Sequence, residues 1–241
     1  RDCLLSRGLG DVYKRQQPDR IGPEDISFKT KNLTFCVKDP DIEKNGERHK
    51  WISDYVNKAE EALLGSNFLD ETEGYANYFD KVSFVDWYLI NEITKNNDAC
   101  FFSSCYLNIT PGGKLKMGPL WDYDIALGNV NYNDNQSYEG FWIKKKVTWF
   151  SRMFEDPSFV ALVKERFAYF KSKENDMLTN INENATYLKF SVIENNAKWN
   201  TLYEQTWPNY AVWGSYNNEV QYLKQWLSKR LAWLESAFSE L

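Results

Sequence analysis

Two carboxylates stand two residues apart in Trp121-Asp122-Tyr123-Asp124, directly after a segment of strand character. On extended backbone they would project to one side, about 7 Å apart. Hard oxygen donors of this kind suit a divalent cation. Mg²⁺ in phosphotransfer sites is held by one or two carboxylates together with substrate phosphates. Gly118-Pro119 sharpens the approach to the pair and Gly128-Asn129 the departure from it. The same residues also suit an Asx-rich turn that caps the next segment. A second polar cluster, Asn96-Asn97-Asp98, precedes them. It suits a plain helix C-cap, which Asn favours. It also suits a carboxylate that orients or deprotonates an acceptor hydroxyl.

Positioning these clusters falls to a few elements. The pattern predicts a helix over 83–96, with Ser83 as its cap and Asp86 three residues on. Phe84, Trp87, Tyr88, Ile90 and Ile93 form a broad apolar stripe, interrupted by Asn91. Strands are predicted over 100–109 and 114–120, joined as a hairpin by Pro111-Gly112-Gly113. Such a hairpin can bring the loop at Asp98 and the loop at Asp122 to one end of a sheet. Upstream, a strand is expected within 26–38, stopped by Asp39-Pro40-Asp41. A helix is expected over 47–64, stopped by Gly65-Ser66. After a polar loop at 131–138 the chain reads as helices over about 147–154, 158–170, 174–198 and 217–238. The fold class is α+β: a small antiparallel sheet or hairpin with a mostly helical body.

Composition narrows the function classes. The chain has 241 residues, of which 43% are hydrophobic and 17% aromatic, enough to build a core rather than a disordered chain. Net charge is −5 with a pI near 5.2, so there is no basic footprint for nucleic acid. No apolar run approaches the roughly 18 residues that span a bilayer. Four cysteines without a CxxC pair, and His49 as the only histidine, argue against a zinc site.

Residues 1–16, RDCLLSRGLGDVYKRQ, are basic where the rest is acidic, and they lack periodicity. They resemble a translated adaptor sequence and are set apart as a foreign tail, which leaves 17–241 as the domain. Gly8-Leu9-Gly10 lacks the preceding strand and third glycine of a phosphate loop.

Taken together, the two clusters resemble the CotH kinase family, the spore-coat protein H type of secreted atypical kinase. The carriers are Ser83-Phe84-Val85-Asp86-Trp87-Tyr88-Leu89, Asn91-Glu92-Ile93-Thr94-Lys95-Asn96-Asn97-Asp98, and Ser103-Ser104-Cys105-Tyr106-Leu107. Most specific is Gly118-Pro119-Leu120-Trp121-Asp122-Tyr123-Asp124 with the following Ala126-Leu127-Gly128-Asn129. Weaker matches run outward to Lys38-Asp39-Pro40-Asp41 and to the last helix around Arg230-Leu231-Ala232-Trp233-Leu234.

The resemblance implies a protein-kinase-like C-terminal lobe and transfer of phosphate from ATP, with Mg²⁺ or Mn²⁺, to serine on a coat or surface protein. It implies an extracellular or cell-envelope location. Asp98 matches the catalytic-loop aspartate and Asp122 the metal-binding aspartate. Asp124 matches a second ligand, and Asn129 a polar neighbour of the bound nucleotide. Ser104 stands about where a catalytic-loop asparagine is expected. Ahead of Phe35 no glycine-rich loop is matched, and Lys29, Lys31 and Lys38 read as solvated strand-edge charges rather than a phosphate clamp. The expectation is a kinase domain lacking most of its N-terminal lobe, inactive as a fragment.

Two other readings use the same residues. Trp142, Trp149, Trp199, Trp207 and Trp213, with Tyr210 and Tyr216, suit a non-catalytic surface or carbohydrate-binding domain, though such aromatics also suit a core. Asp98 with Asp122 could form a glycosidase pair if they face each other at roughly 5–10 Å. The tight Asp-Tyr-Asp spacing and the family resemblance weigh against that.

Overall fold

A computed structural model describes residues 21–101 and 104–241, together with the backbone of residues 11–15. The fold is α+β, dominated by helices, as the sequence pattern predicts. Five strands form one antiparallel sheet: β1 (Asp11–Arg15), β2 (Ser27–Lys29), β3 (Thr34–Asp39), β4 (Cys105–Ile109) and β5 (Lys116–Met117), in the order β2-β3-β1-β4-β5. The helices are α1 (Glu47–Leu64), α2 (Lys81–Thr94), α3 (Ile143–Lys146), α4 (Thr148–Met153), α5 (Pro157–Ser172), α6 (Glu174–Trp199) and α7 (Tyr216–Ser239).

The chain divides into two compact units. One comprises the described residues up to Tyr88, with Asp98–Asp122 and Ile143–Val160. The other comprises Leu89–Asn97, Tyr123–Trp142 and Ala161–Leu241.

The first unit holds the sheet and an aromatic core. Phe35, Phe79, Phe84, Trp149 and Phe150 are almost fully buried. Phe79 meets Trp149 edge-on at 5.3 Å, and Trp87 stacks on Phe150 at 5.6 Å. Geometry of this kind adds about 0.5–1.5 kcal/mol per pair beyond area burial. Trp149 also donates its indole N–H to the buried Glu60 of α1 at 2.8 Å. Trp142 and Trp149 are therefore core residues, whereas Trp199, Trp207 and Trp213 are 60%, 72% and 38% exposed.

Several element boundaries differ from the sequence expectation for local reasons. The expected strand within 26–38 is a hairpin. Thr30 turns the chain, its N–H bonding Leu33 O at 2.9 Å and its hydroxyl accepting from Leu33 N at 3.0 Å. Helix α2 starts at Lys81, and its cap is Asp80, whose carboxylate accepts from Ser83 N at 3.0 Å. The Ser83 hydroxyl instead accepts from Met117 N on β5. The predicted strand 100–109 is shorter, because Phe101 and Ser104 adopt left-handed backbone at φ 57° and 56°. The predicted strand 114–120 shrinks to Lys116–Met117.

Within residues 1–16, set apart as a foreign tail, five form a strand. Asp11–Arg15 pairs on both sides, Tyr13 standing opposite Val37 on β3 and Leu107 on β4. Backbone pairing asks only for an extended chain, so a strand slot can be filled by a segment with no side-chain signature. The rest of that stretch lies outside the described residues.

Candidate functional site

In the first unit the site is built around the start of β4. The chain leaves β5 through Gly118, whose N–H bonds Tyr106 O at 2.6 Å. A Cβ on Gly118 would lie 2.7 Å from Tyr106 Cβ, so the crossing requires glycine. Trp121 follows, 56% exposed and edge-on to Tyr106. Asp122 then takes left-handed backbone at φ 67°. The Ser104 hydroxyl donates to Asp122 Oδ2 at 2.9 Å. The next residue, Cys105, directs its thiol to Asp98 O at 3.7 Å. Consecutive residues at the head of β4 thus touch both aspartate-bearing loops. Asp98 is half-buried and Asp122 exposed.

In the second unit the end of α2 is stitched to the segment that follows the Asp-Tyr-Asp motif. Helix α2 stops where Lys95 turns left-handed at φ 46°. Leu127 N bonds Thr94 O at 2.6 Å and Asn97 N bonds Ile125 O at 3.2 Å. Tyr123, between the two aspartates in sequence, donates its hydroxyl to Asn91 Oδ1 at 2.9 Å. The polar break in the α2 stripe is therefore a buried anchor. Leu127 and Gly128 are both left-handed, and a Cβ on Gly128 would lie 2.4 Å from Trp226 Nε1. Asn129 donates to Asn209 Oδ1 at 2.9 Å and accepts from Tyr210 N at 3.3 Å.

The polar loop after the motif is held from inside. The buried Lys95 donates to Asp134 O at 3.2 Å and Glu139 O at 2.6 Å. Asn97 joins Tyr132 and Asn133 through its side-chain amide. Arg230 of α7 is fully buried, pairing with Glu92 Oε1 at 2.7 Å and donating to Tyr138 O and Gly140 O at 2.8 Å. Sequence reasoning assigned no role to Lys95, Arg230 or Glu92. Their signal is a charge set among the apolar positions of α2 and α7, which demands a buried partner.

One geometric expectation fails. Asp122 is left-handed and Asp124 sits in a turn, so their spacing is not that of an extended strand projecting two carboxylates to one side. Among the described residues no group of three or more His, Cys, Asp or Glu is arranged to hold a metal. A cation held by one or two carboxylates plus phosphate oxygens would not require such an all-protein group. Lys29, Lys31 and Lys38 are exposed, and Lys38 pairs with Asp25 at 2.9 Å. Among the described residues no helix is long and apolar enough to cross a membrane.

No curated protein matches the chain. The profile of the CotH kinase protein family matches residues 6–234, a span that begins inside the stretch set apart as foreign and takes in both aspartate loops and most of α7. With nearly the whole chain covered, the chain belongs to the CotH kinase family.

Proposed function

We propose that this chain carries the phosphotransfer site of an ATP-dependent protein serine kinase whose acceptor is a coat or cell-surface protein. The observation that supports this most directly is the Ser104-Cys105 dipeptide, which meets Asp122 with one residue and the Asp98 loop with the next. Phosphoryl transfer asks little covalent chemistry of a protein. It needs one carboxylate at the acceptor and another at the metal on the phosphates.

In this reading Asp98 accepts the proton of the serine hydroxyl as its oxygen bonds the γ-phosphorus and the bond to the ADP oxygen breaks. Asp122 would hold Mg²⁺ or Mn²⁺, which would supply charge neutralisation at the phosphates. Asp124, two residues on in sequence, is the further carboxylate. The Asn129 amide is engaged by Asn209 and Tyr210, so it serves by fixing the loop after the motif. A protein-kinase-like C-terminal lobe and a location outside the cytoplasm belong to the same proposal.

The test is transfer of labelled phosphate from ATP to a serine-containing acceptor protein, with Mg²⁺ or Mn²⁺, by the full-length parent protein. Asp122→Ala and Asp98→Ala should each lower the rate by about a hundredfold or more while melting like the parent. Transfer that survives Asp122→Ala would sink the metal role. A parallel thermal-shift titration with ATP and Mn²⁺ should show stabilisation of the parent and none of Asp122→Ala.

A further inference from the structure

From the last residue of α6 to the cap of α7, the chain carries Trp199, Tyr203, Trp207, Tyr210 and Trp213, each 38–72% exposed. Large rings left in water in this number ask for an occupant. Trp207, Tyr210 and Trp213 are also held in place by stacking. Trp207 stacks on Tyr132 at 5.9 Å with 24° between planes, and at 72% exposure its other face stays in solvent. Trp213 stacks on Tyr222 at 4.7 Å and 25°.

The backbone beneath is pinned. Asn131 N bonds Pro208 O at 3.0 Å, Tyr210 N bonds Asn129 Oδ1, and Gln205 bonds Asn209 O at 2.5 Å. Asn97 donates to the Tyr132 hydroxyl at 2.9 Å.

Composition identifies the chemistry of the occupant. Glu204 is the single charged residue from Trp199 to Asn218, in a chain that is 26% charged, and it already accepts from Asn200 at 2.6 Å; the two charges that flank this stretch are also engaged, Lys198 over the Trp199 ring at 4.7 Å and Glu219 by Trp213 N at 2.9 Å. The remaining polar groups are mainly amides and hydroxyls. The large hydrophobic side chains exposed here are all Trp or Tyr. The aliphatic Leu202 and Val212, of the kind a protein interface would use, are half-buried. Rigid planar rings with uncharged hydrogen-bonding groups match the apolar faces and hydroxyl rims of neutral sugars, since such ligands offer no charge to pair.

We infer that this aromatic segment is a binding surface for a neutral polysaccharide, with binding that requires neither ATP nor metal. Pyranose faces stack on Trp207 and Trp199, and their hydroxyls meet the neighbouring amides.

The experiment is native affinity electrophoresis of the 241-residue chain in gels containing a soluble neutral β-glucan, a galactomannan or a xylan, with alginate as the charged control. At least one neutral polymer should retard the chain. Trp207→Ala and Trp199→Ala should each weaken retardation roughly five- to tenfold, and Asp122→Ala should leave it unchanged. Both tryptophans are mostly exposed, so the variants should melt like the parent. Titrating the unaltered chain with an oligosaccharide of the retarding polymer should also shift tryptophan fluorescence. The inference is overturned if no neutral polymer retards the chain, if alginate alone does, or if Trp207→Ala leaves retardation intact. It is equally overturned if the same substitutions instead abolish self-association in size-exclusion chromatography, which would make a second copy the occupant.

Discussion

The Ser104 hydroxyl donates a 2.9 Å hydrogen bond to Asp122 Oδ2, and both residues hold left-handed backbone, at φ 56° and 67°. For residues with a Cβ that conformation costs on the order of 1–2 kcal/mol each. Strain of this kind persists only where surrounding structure enforces it, and it gathers at functional sites. The strained pair fixes the Asp122 carboxylate against the head of β4, where the thiol of Cys105 reaches the Asp98 loop.

Ser104→Ala should therefore act on activity more than on stability. Losing one hydrogen bond to a charged group is worth about 1.5–3 kcal/mol when the group is desolvated, and less here because Asp122 is exposed. Phosphate transfer should fall about three- to tenfold, mainly through a higher Mn²⁺ requirement, with the urea midpoint nearly unchanged. Equal metal dependence in variant and parent would show that Ser104 does not position Asp122.

Arg230 and Glu92 form a fully buried ion pair, and Arg230 also bonds the carbonyls of Glu92, Tyr138 and Gly140. Removing one partner strands a charge and several acceptors. Arg230→Ala should cost about 3–5 kcal/mol in urea unfolding. Arg230→Lys should recover little, because an ammonium cannot reproduce the planar fork.

Asp156 sets an acid limit on stability. Burial works to raise its pKa, but hydrogen bonds from Lys81, Tyr75 and Ser158 outweigh this and hold it down to about 2, against 3.8 ordinarily. Because the folded value is the lower one, the stabilisation is complete above roughly pH 4 and is lost as pH falls through about 2. It amounts to about 2 kcal/mol. Asp156→Asn should destabilise the chain at pH 7 and flatten its stability profile between pH 4 and 2. A profile as steep as the parent's would refute the assignment.

Gly128 and Gly112 separate two effects. Both have positive φ, 82° and 78°. A Cβ on Gly112 meets nothing within 4 Å, whereas one on Gly128 overlaps the Trp226 indole at 2.4 Å and the Tyr222 hydroxyl at 2.9 Å. Gly112→Ala should cost about 1 kcal/mol from backbone alone. Gly128→Ala should cost about 2–4 kcal/mol and disturb the loop that Asn129 anchors. Equal melting temperatures would contradict the packing at Trp226.

Deleting residues 1–15 should behave differently from deleting 1–10. The longer deletion removes β1 and opens the edges of β3 and β4, and exposed edges pair with other chains. Light scattering on heating should rise for the longer deletion and stay near the parent's for the shorter. Matching behaviour would mean that Asp11–Arg15 contributes nothing to the sheet.

The sequence by itself determined the helix over 47–64, the Pro111-Gly112-Gly113 hairpin and the long amphipathic α7, because each depends on local periodicity and turn chemistry. It also identified Asp98 and Asp122 as candidates, through a spaced motif carried by neighbouring residues. Tertiary structure decided what no local pattern encodes. It turned Asp122, at the head of the expected extended Asp-Tyr-Asp segment, left-handed and bonded its carboxylate to Ser104. It brought Arg230 onto Glu92 across more than half the chain. It drew Asp11–Arg15 into the sheet through backbone pairing that leaves no side-chain signature. It also sorted the tryptophans, burying Trp142 and Trp149 while leaving Trp199 and Trp207 in solvent, because burial depends on which surfaces meet and not on residue type.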